Sequence, residues 1–360
     1  MSYLLPLGPF HPAWNSPMRV VLRVDGEHIA DVEYRDGYAS RAVPERLARS
    51  SIGQGFHVAS HVCALDSHAH TLAFCQAIET LMKLKPTPRA AALRVVAAET
   101  ERTIVHLATL KTCVNIMGLS RDAGWLQKLE QGLIEVQQHL CGAAVQPNYM
   151  IPGGVRQELD GAARESMLLQ FRKLERLMFR FVDRFIDDRG VLRRTVGIGI
   201  LAREASEQFG VRGILARANG LTYDARIDKP YAAYAEFAPH PIAQERGDVY
   251  ARLVMMALEA FESLKLAIRV LGNLPDGDWA GTMPDSVPAG TATGTVESAR
   301  GTLRYTVQSN GTNITHVRID PPRQLDRLLA RTFLAGMHVD DAMLIIASTA
   351  PCAACSEASS

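Results

Sequence analysis

The stretch "GDVYARLVMMALEAFESLKLAIRVLG", residues 247–272, decides the fold class. Apolar side chains at 250, 253, 254, 257, 258, 261, 264 and 268 fall on one stripe at the helical period, and Gly272 stands where such a helix would stop. One long amphipathic helix is expected. Outward from it, the same period runs through 45–83, 89–117, 123–142 and 156–189, broken at "KPTP" (85–88), Gly118 and "IPGG" (151–154).

The pattern changes near both ends. "MRVVLRVDGEHIADVEYRDGY" (18–38) alternates apolar and polar residues on either side of Asp25-Gly26, which predicts a hairpin. Residues 273–298 are rich in Gly, Pro, Asp and Thr and read as a loop. "GTLRYTVQSNGTNITHVRI" (301–319) predicts a second hairpin around Asn310-Gly311. A short helix near 323–335 and the apolar run 343–348 follow. The expected fold is mainly α with small β elements (α+β). It comprises an N-terminal β-hairpin segment (1–43), a helical body (44–272) and a C-terminal part (273–360). That last part, a β-ribbon, short helix and cysteine motif, packs as one domain with the body.

Composition narrows the function. With 47% apolar and 21% charged residues, the chain has the balance of an ordinary globular protein. Lys plus Arg is 39 against 38 for Asp plus Glu, so no global field favours nucleic acid. The opening "MSYLLPLGPFHPAW" lacks the pattern of a secretory leader, and no apolar run reaches the ~18 residues of a membrane span. A cytoplasmic location is expected, compatible with docking on a membrane partner. Six cysteines are too few for a disulfide framework in 360 residues, which points to reduced thiols or metal thiolates.

Two of those cysteines, Cys352 and Cys355, form a C-x-x-C pair in "LIIASTAPCAAC". Thiolates at this spacing reach one ion from a tight turn; the alternative is two small buried side chains. Further donors lie in "SHVCALDSHAHTLAFCQAIE", where Cys63 and Asp66 repeat the spacing among His61, His68 and His70.

Together these stretches resemble the large subunit of nickel–iron hydrogenases, especially the membrane-associated energy-converting group, and the homologous 49 kDa-type quinone-site subunit of respiratory complex I. "GPFHPAW" and "GYASRAV" are similar to the family's G-P-x-H-P opening and G-Y-x-H-R-G loop. "CALDSHAH" is similar to C-G-x-C-S-x-x-H, and "RVVAAETERTIVHL" to R-V-L-x-A-E-L-x-R-I-x-N-H-L. "IPGGVR", "GVRGILARANG", "DAR" and "PYAAY" resemble further turns and helices in the family's order, and "LIIASTAPCAAC" resembles L-I-I-A-S-I-D-P-C-x-x-C.

The resemblance implies a nickel–iron centre held by both cysteine motifs: Cys63 and Cys352 as terminal nickel ligands, with position 66 and Cys355 bridging. It implies catalytic roles for Arg41, Glu45 and His70, and a pocket lined by His11, Arg226 and Asp228. His11 is otherwise a turn residue, and Arg226 and Asp228 are otherwise structural and pair with each other. Glu99, Arg102 and His106, on one helical face, are expected to form a buried charge network. The implied partners are an iron–sulfur small subunit and ion-pumping membrane subunits, with the chain peripheral on the cytoplasmic face of the inner membrane.

The chain departs from the family pattern at several points. Asp66 stands where a bridging cysteine is expected, and Ser60 and His61 where a glutamate and an arginine are. Ser40 replaces the loop histidine, Pro44 takes the place of a proton-relaying glutamate with Glu45 beside it, and Ala350 replaces an aspartate. A carboxylate cannot make a soft thiolate bridge. The expectation is an oxidoreductase subunit with an altered metal site and little or no hydrogen turnover. The other readings are a metal-free quinone or electron-acceptor pocket and a non-catalytic scaffold. Only five residues follow Cys355, so removal of a C-terminal tail is not expected.

Overall fold

The computed structural model describes residues 1–359. Strands β1 (Ser2–Leu7), β2 (Arg19–Asp25) and β3 (His28–Arg35) form an antiparallel sheet in that order. Asp25 pairs with His28, so the hairpin is found and its turn is Gly26-Glu27, one residue beyond the expected Asp25-Gly26. The edge strand β1 was not legible: exposed side chains and Pro6 hide its alternation, and proline is tolerated there because an edge strand has spare N–H positions.

The stretch 45–83 is three helices rather than one: α1 (Val43–Arg49), α2 (Ile52–Ser60) and α3 (Ser67–Met82). Ser50 is extended, and Ser51 opens α2 with a capping box to Gln54. The second break is the loop that carries Cys63 and Asp66. α3 ends at Lys83, which adopts a left-handed conformation before the proline-rich turn. Pro88 then begins α4 (Pro88–Ile116), capped by the Thr87 hydroxyl, which accepts from the Ala90 N–H. α5 (Ser120–Cys141) follows the turn at Gly118. A two-residue-per-strand hairpin, β4 (Met150–Ile151) with β5 (Gly154–Val155), occupies "IPGG" and leads to α6 (Gly161–Ile186).

Short helices α7 (Arg189–Thr195), α8 (Arg203–Gln208), α9 (Ile214–Arg217) and α10 (Ala225–Asp228) lead to α11 (Val249–Gly272). α11 packs between α4 and α6. Its burial extends well beyond the stripe read from sequence: Met255, Met256, Leu266 and Val270 are buried, while Tyr250, Leu258, Phe261 and Ile268 are only half-buried. A helix enclosed by neighbours on several sides has no single apolar face.

The C-terminal part contains β6 (Gly290–Ser298), β7 (Gly301–Ser309), β8 (Ile314–Asp320), α12 (Arg327–Leu334), α13 (Ala342–Ser348) and α14 (Ala353–Ser356). The three strands form an antiparallel sheet, β6-β7-β8. This corrects the reading of 273–298 as loop, because β6 fills its last third. Gly294, which made the segment look irregular, is needed where β6 crosses α3: a Cβ there would overlap the Ala73 carbonyl oxygen. One continuous apolar core runs from Trp14 to Ala358. Among the described residues no single helix is long and apolar enough to cross a membrane.

Candidate metal centre

Two loops meet at the end of the core. One links α2 to α3 and carries Cys63 and Asp66; the other links α13 to α14, with Cys352 at the helix start and Cys355 inside it. Although 289 residues apart, Cys63 Sγ and Cys352 Sγ lie 3.4 Å apart. The sulfurs of Cys63, Cys352 and Cys355 all lie within 4.8 Å of one another, and all three residues are buried. Asp66 Oδ2 is 3.8 Å from Cys63 Sγ and 3.4 Å from Cys355 Sγ.

Arg300 joins the loops. It sits in the two-residue turn between β6 and β7, where Ser298 pairs with Gly301. Its Nη1 donates to Asp66 Oδ2 and its Nε donates to the Ala350 carbonyl at 2.8 Å. Ala350 has φ 54°, the left-handed region that a side chain adopts at a cost of order 1–3 kcal/mol. The guanidinium thus clamps a strained turn of one cysteine loop to a carboxylate of the other. His70 Nε2 lies 3.4 Å from Cys355 Sγ, and its Nδ1 is 2.7 Å from the Tyr305 hydroxyl on β7. Ser16 Oγ approaches Cys352 Sγ at 4.0 Å and accepts from the Ala354 N–H.

The three thiols share charge unequally. Hydrogen bonds from Cys355 and Cys63, with the Arg300 charge nearby, hold Cys352 well below the usual thiol range. Cys63 and Cys355 are pushed up, chiefly by donating to that thiolate. Burial opposes the Arg300 charge, but Asp66 and the cysteines outweigh it and raise its pKa. Behind the loop, Glu101 on α4 accepts from the backbone N–H groups of His68 and Ala69 at 2.6 and 2.9 Å, capping α3 from another helix. Burial, then the charge of Asp66, pushes the Glu101 carboxyl well up.

Burial pushes His68 down to about 3 and His70 down to about 4. Below the ordinary histidine pKa of about 6.5 the unfolded chain binds these protons and the native chain does not. Stability therefore falls as pH drops, by about 1.4 kcal/mol per pH unit for each ring until its native pKa is reached. Urea unfolding followed by circular dichroism is expected to show this loss between about pH 6 and pH 4, and His68→Gln is expected to flatten it. An unchanged slope in His68→Gln would contradict the assignment.

The structure brings Cys63, Asp66, His70, Cys352 and Cys355 together. Arg41 is exposed and holds the loop through its backbone, donating to the carbonyls of His61 and Val62. Glu45 does not join the site: it is exposed in the first turn of α1. His11 is a turn residue, its Nδ1 accepting from the Ala13 N–H and its ring lying on Trp14. The expected pairing of Arg226 with Asp228 is corrected. Arg226 binds Glu99 and Asp224, not Asp228, while exposed Asp228 accepts from the Asp224 N–H.

Arg226 belongs to the expected buried charge network, which is larger than the α4 face alone. Arg102 and His106 approach Glu259 of α11 at 3.5 and 3.3 Å, and Arg217 donates to Glu259 at 2.6 Å and to Glu297 at 2.9 Å. Arg300, Tyr305 and Ser16 escaped the sequence reading. The signal for Arg300 is "ESARG" at a strand turn, masked by the Gly, Pro and Thr of the preceding segment.

Comparison with known proteins finds relatives that span the whole chain. Residues 123–286 match the family model of the 49 kDa subunit of respiratory-chain NADH dehydrogenase. The chain is 30% identical over 359 residues to the carbon monoxide-induced hydrogenase of Rhodospirillum rubrum, covering 99% of each. It is 28% identical over 355 residues to an NADH-quinone oxidoreductase subunit from Dehalococcoides mccartyi, covering 96% of each. A chain of the membrane-bound sulfane sulfur reductase, an archaeal respiratory membrane complex, superposes with a TM-score of 0.92 at 22% identity over 98% of both chains.

Proposed function

Because the chain belongs to the family that unites nickel–iron hydrogenase large subunits with the 49 kDa-type subunit of complex I, we propose that its thiol pocket is the remodelled redox centre of an energy-converting complex. The chain is a subunit of a hydrogenase-like or complex I-like membrane complex. The observation that carries the redox reading is the convergence of three buried thiols from opposite ends of the chain.

The donor set fits a soft ion: three sulfurs, one held ionised, beside a cation that offsets their charge. Cys63, Cys352 and Cys355 would hold the nickel–iron centre. Such a centre, when bound, supplies electron transfer and an open position for a small reactant. The residues around it hold it in place. Arg41 fixes the Cys63 loop from behind, Arg300 fixes both loops, and the His70–Tyr305 pair orients Cys355. Asp66 is the departure, because Arg300 engages its carboxylate and no second thiolate bridge is available. Electrons would come from an adjacent iron–sulfur subunit on the cytoplasmic face. The remaining cysteines, Cys75, Cys113 and Cys141, lie apart from the thiol pocket on α3, α4 and α5.

This reading predicts weak or absent reduction of methyl viologen by hydrogen in the purified complex. Asp66→Cys alone is expected not to restore it, because Glu45 points to solvent and Pro44 carries no proton. Robust turnover by the wild-type complex would contradict the remodelled centre.

A further inference from the structure

On the side of the thiols formed by Tyr34, Arg300 and Gln324, the protein surface folds inward. A cleft of about 490 Å³ lies between the end of β3, the 320–326 loop and the C-terminal turn. Its rim carries Asp36, Asp320, Asp326, Arg212 and Arg323. Beneath it is a cavity of about 10 Å³ bounded by Arg300, Gln324, Leu325, Cys352 and Cys355. Tyr34, Pro322, Gln324, Leu325 and Ser356 line both, so they form the partition between them.

Among the described residues, two polar atoms at this partition lack a protein partner: Arg300 Nη2 and Gln324 Oε1, on side chains 1% and 4% exposed. Both are fixed in orientation. The other Arg300 nitrogens are spent on Ala350 and Asp66. Gln324 Nε2 donates to the Arg300 carbonyl, so the amide cannot flip without setting two oxygens face to face. One atom is a donor and the other an acceptor. A water needs roughly 10–15 Å³ and two or more polar partners; the cavity has about 10 Å³ and is lined by both of these side chains.

We infer that the cleft is the solvent port of the thiol pocket, with one ordered water bridging Arg300 Nη2 and Gln324 Oε1 as its inner step. The water accepts from the guanidinium and donates to the amide. It stands against Cys352 and Cys355 at the inner end of the path from bulk solvent. Its use in turnover rests on the redox reading above; its existence does not.

The test is a high-resolution cryo-electron microscopy map of the full complex. The wild type is expected to show one solvent peak within hydrogen-bond distance of both atoms. Gln324→Leu removes the acceptor and is expected to lose the peak. Leu325→Phe fills the cavity while sparing the Gln324–Arg300 bond and serves if Gln324→Leu does not assemble. In Leu325→Phe the added ring volume is expected to displace the peak while Arg300 and Gln324 keep their positions. A dry wild-type cavity, or a peak that persists unchanged in Leu325→Phe, would overturn the port. A complex that holds the water but no metal would sink the redox reading and leave the port standing.

Discussion

Arg300→Met is expected to destabilise the native chain by about 3–5 kcal/mol, the usual cost of leaving one partner of a buried ion pair alone. Asp66 is 3% exposed, and Arg300 is the cation that meets its carboxylate. The substitution also releases the Ala350 carbonyl, and with it the clamp on a turn held in a left-handed conformation. The check is the urea midpoint of the assembled chain. Adding Asp66→Asn should recover part of the loss, since the unpaired charge is gone, and the double-mutant cycle should show strong coupling. A loss in the double variant equal to the sum of the two single losses would mean that the pair is incidental to stability.

Cys352→Ser is expected to remove most of the bound metal, from about one equivalent per chain to about a tenth or less, because a hydroxyl is a hard, weakly acidic donor in place of a soft thiolate. Cys352 is the ionised member of the group, so its loss removes both a ligand and the charge the other thiols share. Cys113→Ser is the control: that thiol is equally buried, and burial pushes it up to about 12, yet it lies on α4 outside the pocket. Mass-spectrometric metal analysis of the purified complexes reads both. Equal metal in the two variants would remove Cys352 from the ligand set.

Much of the architecture was legible because helical periodicity and turn residues are local signals. The breaks at 85–88, Gly118 and 151–154 all fall at element ends. The two cysteine motifs were legible from spacing and family resemblance. What the chain hid depends on contacts distant in sequence. Gly294 looks like a loop residue until α3 is laid across it. Arg300 becomes a site residue only once β6 and β7 are paired and its turn meets both cysteine loops. The split of 45–83 is also physical: the loop carrying Cys63 and Asp66 interrupts a helical pattern so that its side chains can face the other end of the chain. The pairing expected between Arg226 and Asp228 is absent because the carboxylates of Glu99 and Asp224 take up the Arg226 charge inside the core.

A thiolate-bound metal in the pocket of Cys63, Cys352 and Cys355 underlies every role proposed for the site. Elemental analysis of the intact complex, combined with X-ray absorption at the edge of the metal found, tests this most directly. The expected result is a soft transition metal near one equivalent per chain with sulfur donors, beyond the iron of any iron–sulfur partner. A complex carrying no such metal, or one whose metal shows no sulfur ligation, would contradict it.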